Sequence, residues 1–163
     1  MMYAESKHFE KEFITRTKEI VQNYVGDYNT TLFINAMLAL FIVPKETNYD
    51  KIDDTMIDTN TLIKARKHCR DKTKTEPLSL QYIVRRIRNA IAHGHILFEA
   101  EKDPYGNIDN EIRRVSFFDD RNSNNIGKNY NSYEFKARFS ISDLKEFVFA
   151  FADSMLVKMG EEK

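Results

Sequence analysis

The sequence predicts a mainly helical domain of the α+β kind, with a small antiparallel sheet inserted before its last helix. Apolar residues recur at helical spacing in both halves of the chain, and only the stretch between about residues 95 and 140 alternates apolar with polar side chains. The chain has 163 residues, of which 42% are hydrophobic and 31% charged, and this suits one domain with a full core. We therefore expect residues 1–163 to form a single domain.

Four helices are expected before the inserted strands. Apolar residues at helical spacing predict an amphipathic helix over about residues 5–25. Residues 32–43 are apolar nearly all round, which is typical of a helix that is buried on most sides. Residues 61–70 predict a short basic helix. The apolar stripe within residues 80–91 predicts a fourth helix, which Gly94 terminates.

Three strands and a last helix are expected in the second half of the chain. Residues 133–139 alternate apolar with charged side chains, and residues 96–100 and 112–118 are the two other strands of an expected antiparallel meander. Residues 119–131 are rich in Asn, Asp, Ser and Gly, which predicts a mobile loop. Asp143, with a glutamate three residues later, predicts the start of the last helix.

The charge distribution leaves two interpretations open. The chain has 25 acidic and 25 basic residues, which argues against a protein that coats nucleic acid through its bulk charge. Basic residues are concentrated between residues 61 and 98, however, and acidic residues between 46 and 58. This pattern is typical either of two solvated helix faces or of a basic surface that binds an anion.

Several classes of protein find no support in the sequence. The N-terminus has no signal-peptide pattern and no apolar run is long enough to cross a bilayer, so we expect a cytoplasmic protein without a membrane partner. The single cysteine, Cys69, predicts no internal disulfide and no CxxC metal site, and we expect it to be a small buried residue. No phosphate loop, dinucleotide fingerprint or GxSxG motif is present, and no cofactor is expected.

The segment Arg-Asn-Ala-Ile-Ala-His-Gly at residues 88–94 carries the most specific chemistry in the chain. An arginine and a histidine at this spacing occur by chance about once in a chain of this composition. The whole segment is more informative, because it sets Arg88, Asn89 and His93 at the end of a helix whose other side is an apolar stripe. It supplies a carboxamide, an imidazole and a guanidinium that can bind phosphate through two parallel hydrogen bonds.

This segment resembles the signature of the HEPN domains, in which an arginine is followed by a polar residue and, after a short helical spacer, by a histidine. Arg88, Asn89 and His93 match it, and the strand-rich segment before the last helix is similar to that of one subgroup. The resemblance implies a HEPN-like helical bundle that usually dimerises. It also implies a metal-independent endoribonuclease from a toxin–antitoxin or phage-defence system, with an antitoxin or inhibitor protein as a further partner. Other members of the family are non-catalytic binding or assembly modules.

The chemistry of RNA cleavage agrees with these residue types. RNA carries its own nucleophile, the 2′-hydroxyl, so cleavage to a 2′,3′-cyclic phosphate and a 5′-hydroxyl requires proton transfer and positive charge but no metal. An imidazole has an ordinary pKa near cellular pH, which suits His93 to proton transfer, and the planar guanidinium of Arg88 suits it to the phosphate. Asn89 lies four residues before His93, where it can orient the imidazole or bind the substrate.

Helix geometry favours a site that two subunits share. On one ideal helix, Arg88 and His93 point about 140° apart, whereas a two-fold dimer brings two copies of the motif into one groove. Arg85, Asn89 and His93 form a straighter row, and Arg86 lies almost in line with His93. Arg85 and Arg86 are therefore alternative partners for the histidine. No metal site is expected at the two neighbouring histidines, because carboxylates at ligand spacing are missing. The predicted RNA contacts are Arg85, Arg86, His95, Lys64 and Lys67.

Three alternatives stay open at the level of sequence. Arg88, Asn89 and His93 can instead form a buried polar network that fixes helix packing or a dimer interface. The domain can also be a non-catalytic module that binds RNA, a nucleotide or a protein through the same groove, or an antitoxin-like or purely structural dimer. Four aromatic residues also have two possible roles, since they can stack on RNA bases or face the core. Their period of two favours the core, and they are Tyr130, Tyr133, Phe135 and Phe139.

Overall fold

The structure is a computed structural model, and it describes residues 9–27, 29–42, 50–102, 104–106, 108–120 and 132–161. These ranges contain five helices and a four-stranded sheet, which confirms the mainly helical α+β prediction. In chain order the elements are α1 (Phe9–Asn23), α2 (Asn29–Ile42), α3 (Thr59–His68), β1 (Cys69–Asp71), α4 (Leu80–Ala92), β2 (Ile96–Lys102), β3 (Ile108–Asp119), β4 (Phe135–Ser140) and α5 (Ile141–Glu161).

The core lies between the helices and one face of the sheet. Helix α2 is buried along most of its length, as its apolar sequence predicts, and Phe41 stacks on Phe151 of α5 with 5.6 Å between the ring centroids. The apolar stripe of α4 is completely buried at Ile83 and Ile87. Because this stripe holds one side of α4 against the core, the polar residues of the helix are confined to its other sides.

The sheet has one strand more than the sequence predicts. Its order is β1-β4-β3-β2 and every neighbouring pair is antiparallel. The predicted meander accounts for β2, β3 and β4, whereas the sequence predicts that residues 69 and 70 of β1 belong to a basic helix over residues 61–70. That helix, α3, ends at His68, and Cys69 and Asp71 then pair with β4. A strand of three residues is too short to show a period of two, so only the tertiary pairing reveals it.

The alternating aromatic residues before α5 face the core. Phe135 and Phe139 of β4 are fully buried, and Phe139 stacks on Phe147 of α5 with 5.8 Å between the ring centroids. Tyr133, which precedes β4, is also buried. The core-facing prediction is therefore confirmed for these three rings, and Tyr130 lies outside the described residues. The buried Cys69 likewise agrees with its prediction.

Two predicted elements include residues that the structure does not describe. Most of the predicted loop over 119–131 and the first residues of the predicted helix over 5–25 lie outside the described residues. None of the helices in the described ranges is long and apolar enough to cross a membrane.

Candidate functional site

A Schellman motif ends α4 and sets the position of His93. The amide of His95 donates to the carbonyl of Ala90 over 2.8 Å, and the amide of Gly94 donates to the carbonyl of Ile91 over 3.1 Å. Gly94 has a φ of +68°, which side chains with a Cβ rarely adopt. His93 is therefore the C-cap residue of α4, and its side chain is exposed where the helix stops.

The three motif residues have different surroundings. Arg88 is half-buried on the last turns of α4, whereas His93 is exposed at the C-cap. Asn89 is half-buried, and its Nδ2 donates to Oδ2 of Asp119 over 3.4 Å. Asp119 is the last residue of β3 and is only 2% exposed. The carboxamide of the motif is thus connected to the end of the sheet.

Arg86 is buried in a cluster of carboxylates, so little of its guanidinium is open to solvent, and its contact with RNA stays a prediction. It is only 5% exposed. Its Nη1 lies 2.8 Å from Asp119, and its Nη2 lies 3.5 Å from Asp71 and 3.4 Å from Glu134. Both terminal nitrogens of the guanidinium thus pair with carboxylates inside the protein, whereas its buried Nε has no hydrogen-bond partner among the described residues.

The register of the sheet explains why Arg86 is held there. Asp71 of β1 pairs with Phe135 of β4, and Phe135 pairs in turn with Asp119 of β3. This row places one carboxylate on each side of the aromatic ring. The guanidinium carbon of Arg86 lies over that ring, 5.8 Å from its centroid, and 5.5 Å from the centroid of the Tyr82 ring. Arg86 therefore attaches α4 to the end of the sheet through charge and ring contacts together.

The two carboxylates of this row have opposite pKa shifts. Burial raises the pKa of Asp119 above its ordinary range, although the charge of Arg86 and the hydrogen bond from Asn89 act against the increase. The charge of His93 acts in the same direction as that of Arg86, which makes Asp119 an electrostatic partner of the motif. Burial also acts to raise the pKa of Asp71, but hydrogen bonds from Thr73 and Tyr82, together with the charge of Arg86, outweigh it and lower that pKa.

His95 stands beside the motif histidine in a more enclosed position. Its ring centroid lies 5.8 Å from that of His93 and 5.1 Å from that of Tyr133. Its Nδ1 is buried and has no hydrogen-bond partner in the part of the chain that the structure describes. The ring is half-buried, so a substrate can reach only part of it. Its backbone carbonyl accepts a hydrogen bond from the amide of Phe118 over 3.0 Å.

The other predicted RNA contacts are on the surface. Arg85 is exposed and its Nη2 lies 2.8 Å from Asp50. Lys64 of α3 is also exposed, and its Nζ lies 2.8 Å from Glu146 of α5. Lys67 is exposed on α3. These side chains are reachable from solvent, and their contact with RNA stays a prediction.

Sequence reasoning did not find the carboxylates of the site. Asp119 stands at the start of a segment that resembles a loop, and Asp71 stands inside a basic stretch. No local pattern connects either residue with α4, because the contacts depend on the register of three strands. Within the described ranges, no group of three or more His, Cys, Asp or Glu side chains is arranged to hold a metal ion.

The fold and the site together define a class of protein. A mainly helical α+β domain, with a small sheet packed at the end of the helix that carries Arg88, Asn89 and His93, agrees with the HEPN resemblance of the sequence. The model of one such family, HEPN pEK499 p136, matches residues 1–162, so the chain belongs to this family. No curated protein and no solved structure matches the chain.

Proposed function

We propose that this chain is a single HEPN domain that acts as a metal-independent endoribonuclease in the cytoplasm, in a toxin or phage-defence context. Cleavage leaves a 2′,3′-cyclic phosphate and a 5′-hydroxyl. The observation that supports this proposal best is the exposed His93 at the C-cap of α4, one turn after Asn89. An imidazole that is open to solvent beside a polar anchor can reach the 2′-hydroxyl of a bound strand.

The proposed reaction is an in-line transfer that the RNA begins itself. His93 takes the proton of the 2′-hydroxyl or supplies one to the leaving 5′-oxygen, and Arg88 binds the phosphate as its negative charge develops. Asp119 is a positioning residue in this scheme, since it contacts Asn89 and lies close enough for the charge of His93 to affect its pKa. It acts through these two side chains and does not touch the RNA.

Each active site in this proposal combines Arg88 of one subunit with His93 of its partner. Arg88 and His93 have different surroundings on one copy of α4, and a two-fold homodimer supplies another copy of each to a shared groove. RNA is the substrate and the main partner. An antitoxin or inhibitor protein that covers the groove is the further partner expected of a toxin.

A cleavage assay on total RNA in the presence of EDTA tests the proposal. We expect wild-type protein to cleave RNA, and the His93→Ala and Arg88→Ala variants to lose about 100-fold or more of the rate, because each removes a group that acts in the transition state. The products are expected to accept a 5′-phosphate from a polynucleotide kinase without earlier dephosphorylation. An oligonucleotide with a 2′-O-methyl group at the cleaved position is the substrate control, and it should stay intact.

Equal cleavage by wild-type, His93→Ala and Arg88→Ala proteins of unchanged thermal stability would show that a contaminating nuclease is responsible, and the proposal would be wrong. The second candidate is a non-catalytic module that binds RNA, a nucleotide or a protein. The hydrogen bond of Asn89 to the buried Asp119 favours this candidate, because such a network also serves to pack α4 on the sheet. It is supported if wild-type protein binds RNA in the same buffer but leaves it uncut.

A further inference from the structure

A cleft of about 390 Å³ lies beside β1, at the segment that joins this strand to α4. It is separate from the motif at the other end of α4. The charged side chains that line it are Arg66, Arg70, Lys72, Lys74, Asp71 and Glu76. Four positive charges therefore face two negative ones, whereas the net charge of the whole chain is zero.

The effective positive charge of the cleft is larger than the count of four positive and two negative side chains indicates. Asp71 is directed inward, where it accepts hydrogen bonds from Tyr82 and Thr73 and lies near Arg86. Its negative charge is thus already compensated by a residue that the cleft does not contain. A ligand in the cleft experiences little of that charge, because a buried ion pair has a weak external field.

Two cations of the cleft are available to a ligand. Arg66 donates to the carbonyl of Leu78 and pairs with Asp54, so it is partly committed. Arg70 and Lys74 are exposed, and neither has a carboxylate partner within the described part of the chain. The Nζ of Lys74 lies 5.3 Å from the centroid of the Tyr82 ring, which holds the ammonium group at the rim.

The cleft and the motif both contact the buried cluster of Arg86, Asp71 and Asp119. Asp71 lines the cleft and also lies 3.5 Å from Arg86, which contacts Asp119. Asp119 accepts the hydrogen bond of Asn89. A continuous chain of contacts therefore connects the wall of the cleft with the motif.

We propose that this cleft binds phosphate groups of a single-stranded RNA at positions outside the cleaved bond, through Arg70 and Lys74. The inference rests on the proposed function, because it assigns a second contact to the same substrate. A polynucleotide carries one negative charge on every nucleotide, so a strand held at the motif presents further phosphates to a cationic cleft nearby. The planar guanidinium of Arg70 and the flexible ammonium of Lys74 bind phosphate oxygens, and such contacts do not depend on the base sequence.

The test measures binding alone, in a His93→Ala background that keeps the RNA intact. A fluorescent single-stranded RNA of about 20 nucleotides, long enough to occupy the motif and the cleft together, is titrated at several salt concentrations. We expect Arg70→Ser with Lys74→Ser to weaken binding on the order of tenfold and to reduce the salt slope by about 1.4, since each lost phosphate contact contributes about 0.7 on a single strand. The matched control, Lys11→Ser with Lys145→Ser, also removes two exposed positive charges and should change neither value.

The outcomes separate this inference from the proposed function. The cleft assignment is wrong if the two double variants bind RNA with equal affinity and equal salt slope. It is also wrong if AMP displaces the RNA from the cleft and affinity does not increase with strand length, because the ligand is then a mononucleotide. If wild-type protein cleaves no RNA but the cleft variant alone loses affinity, the assignment holds and only the catalytic proposal fails. Thermal unfolding should be unchanged in both double variants, because the substituted side chains are exposed.

Discussion

Neighbouring arginines on α4 have opposite environments. Arg85 is exposed and pairs with Asp50 at the surface, whereas Arg86 is buried between Asp71 and Asp119. A surface ion pair contributes little to stability because water and salt screen it. Removing one partner of a buried group of charges costs far more, because the remaining charges are left in a poorly polarisable interior.

The first residue-scale prediction compares these two arginines. We expect Arg86→Met to lower the free energy of unfolding by about 3–5 kcal/mol, because Asp119 and Asp71 lose their buried counter-charge. Arg85→Met is the matched control on the same helix, and it should lower that free energy by less than about 1 kcal/mol. Urea denaturation followed by circular dichroism measures both values. Similar losses in the two variants would contradict the role given to the buried cluster.

The end of α4 is the element on which the site depends. His93 is exposed because the helix stops there, and it stops through the Schellman hydrogen bonds of His95 and Gly94. The same turn leads directly into β2, whose neighbour β3 ends in Asp119. The Schellman turn therefore exposes the imidazole of His93 and also begins the β2–β3 hairpin, which ends in Asp119.

Alanine substitutions at two glycines test whether the end of α4 depends on the positive φ of Gly94. A Cβ at either Gly94 or Gly160 would meet no atom within 4 Å, but only Gly94 has a positive φ, of +68°. We expect Gly94→Ala to lower the free energy of unfolding by about 1–2 kcal/mol, because an L side chain is strained in that conformation. Gly160→Ala in α5 should be neutral or stabilise the fold by up to about 1 kcal/mol, because alanine is the better helix former. Thermal unfolding distinguishes the two, and a stabilised Gly94→Ala variant would disprove the strain.

At the scale of the whole molecule, the sheet joins segments that are distant in sequence. Strand β4 lies between β1 and β3, so it brings Asp71 and Asp119 to one end of the sheet beneath α4. The helices form the rest of the core, with α2 packed on α5 through Phe41 and Phe151. His93 of the motif is exposed to solvent, and the proposed homodimer requires this exposure.

Mixing two inactive variants tests the proposed composite site. Arg88→Ala and His93→Ala chains, unfolded and refolded together in equal amounts, should recover roughly a quarter of the wild-type rate, because half of the dimers are mixed and one of their two sites is intact. The separately refolded variants are the controls and should stay inactive. A mixture that is as inactive as its components would show that each subunit uses its own Arg88 and His93.

Much of the fold follows from the sequence itself. The period of the apolar residues located α2 and α4 and the strands β2, β3 and β4, because burial of one face constrains every third or fourth residue of a helix and every second residue of a strand. Gly94 marked the end of α4 for a similar reason, since the C′ position of a helix favours glycine. The segment with Arg88, Asn89 and His93 also indicated the family to which the chain belongs.

Only the tertiary structure decided the environment of each charge. Arg86 is adjacent to Arg85 in sequence, but the register of β1, β4 and β3 brings two buried carboxylates to Arg86 alone. Asp119 became a neighbour of Asn89 through the same register. The ion-pair partners of a buried side chain depend on contacts between segments far apart in the chain, and local periodicity does not identify those partners.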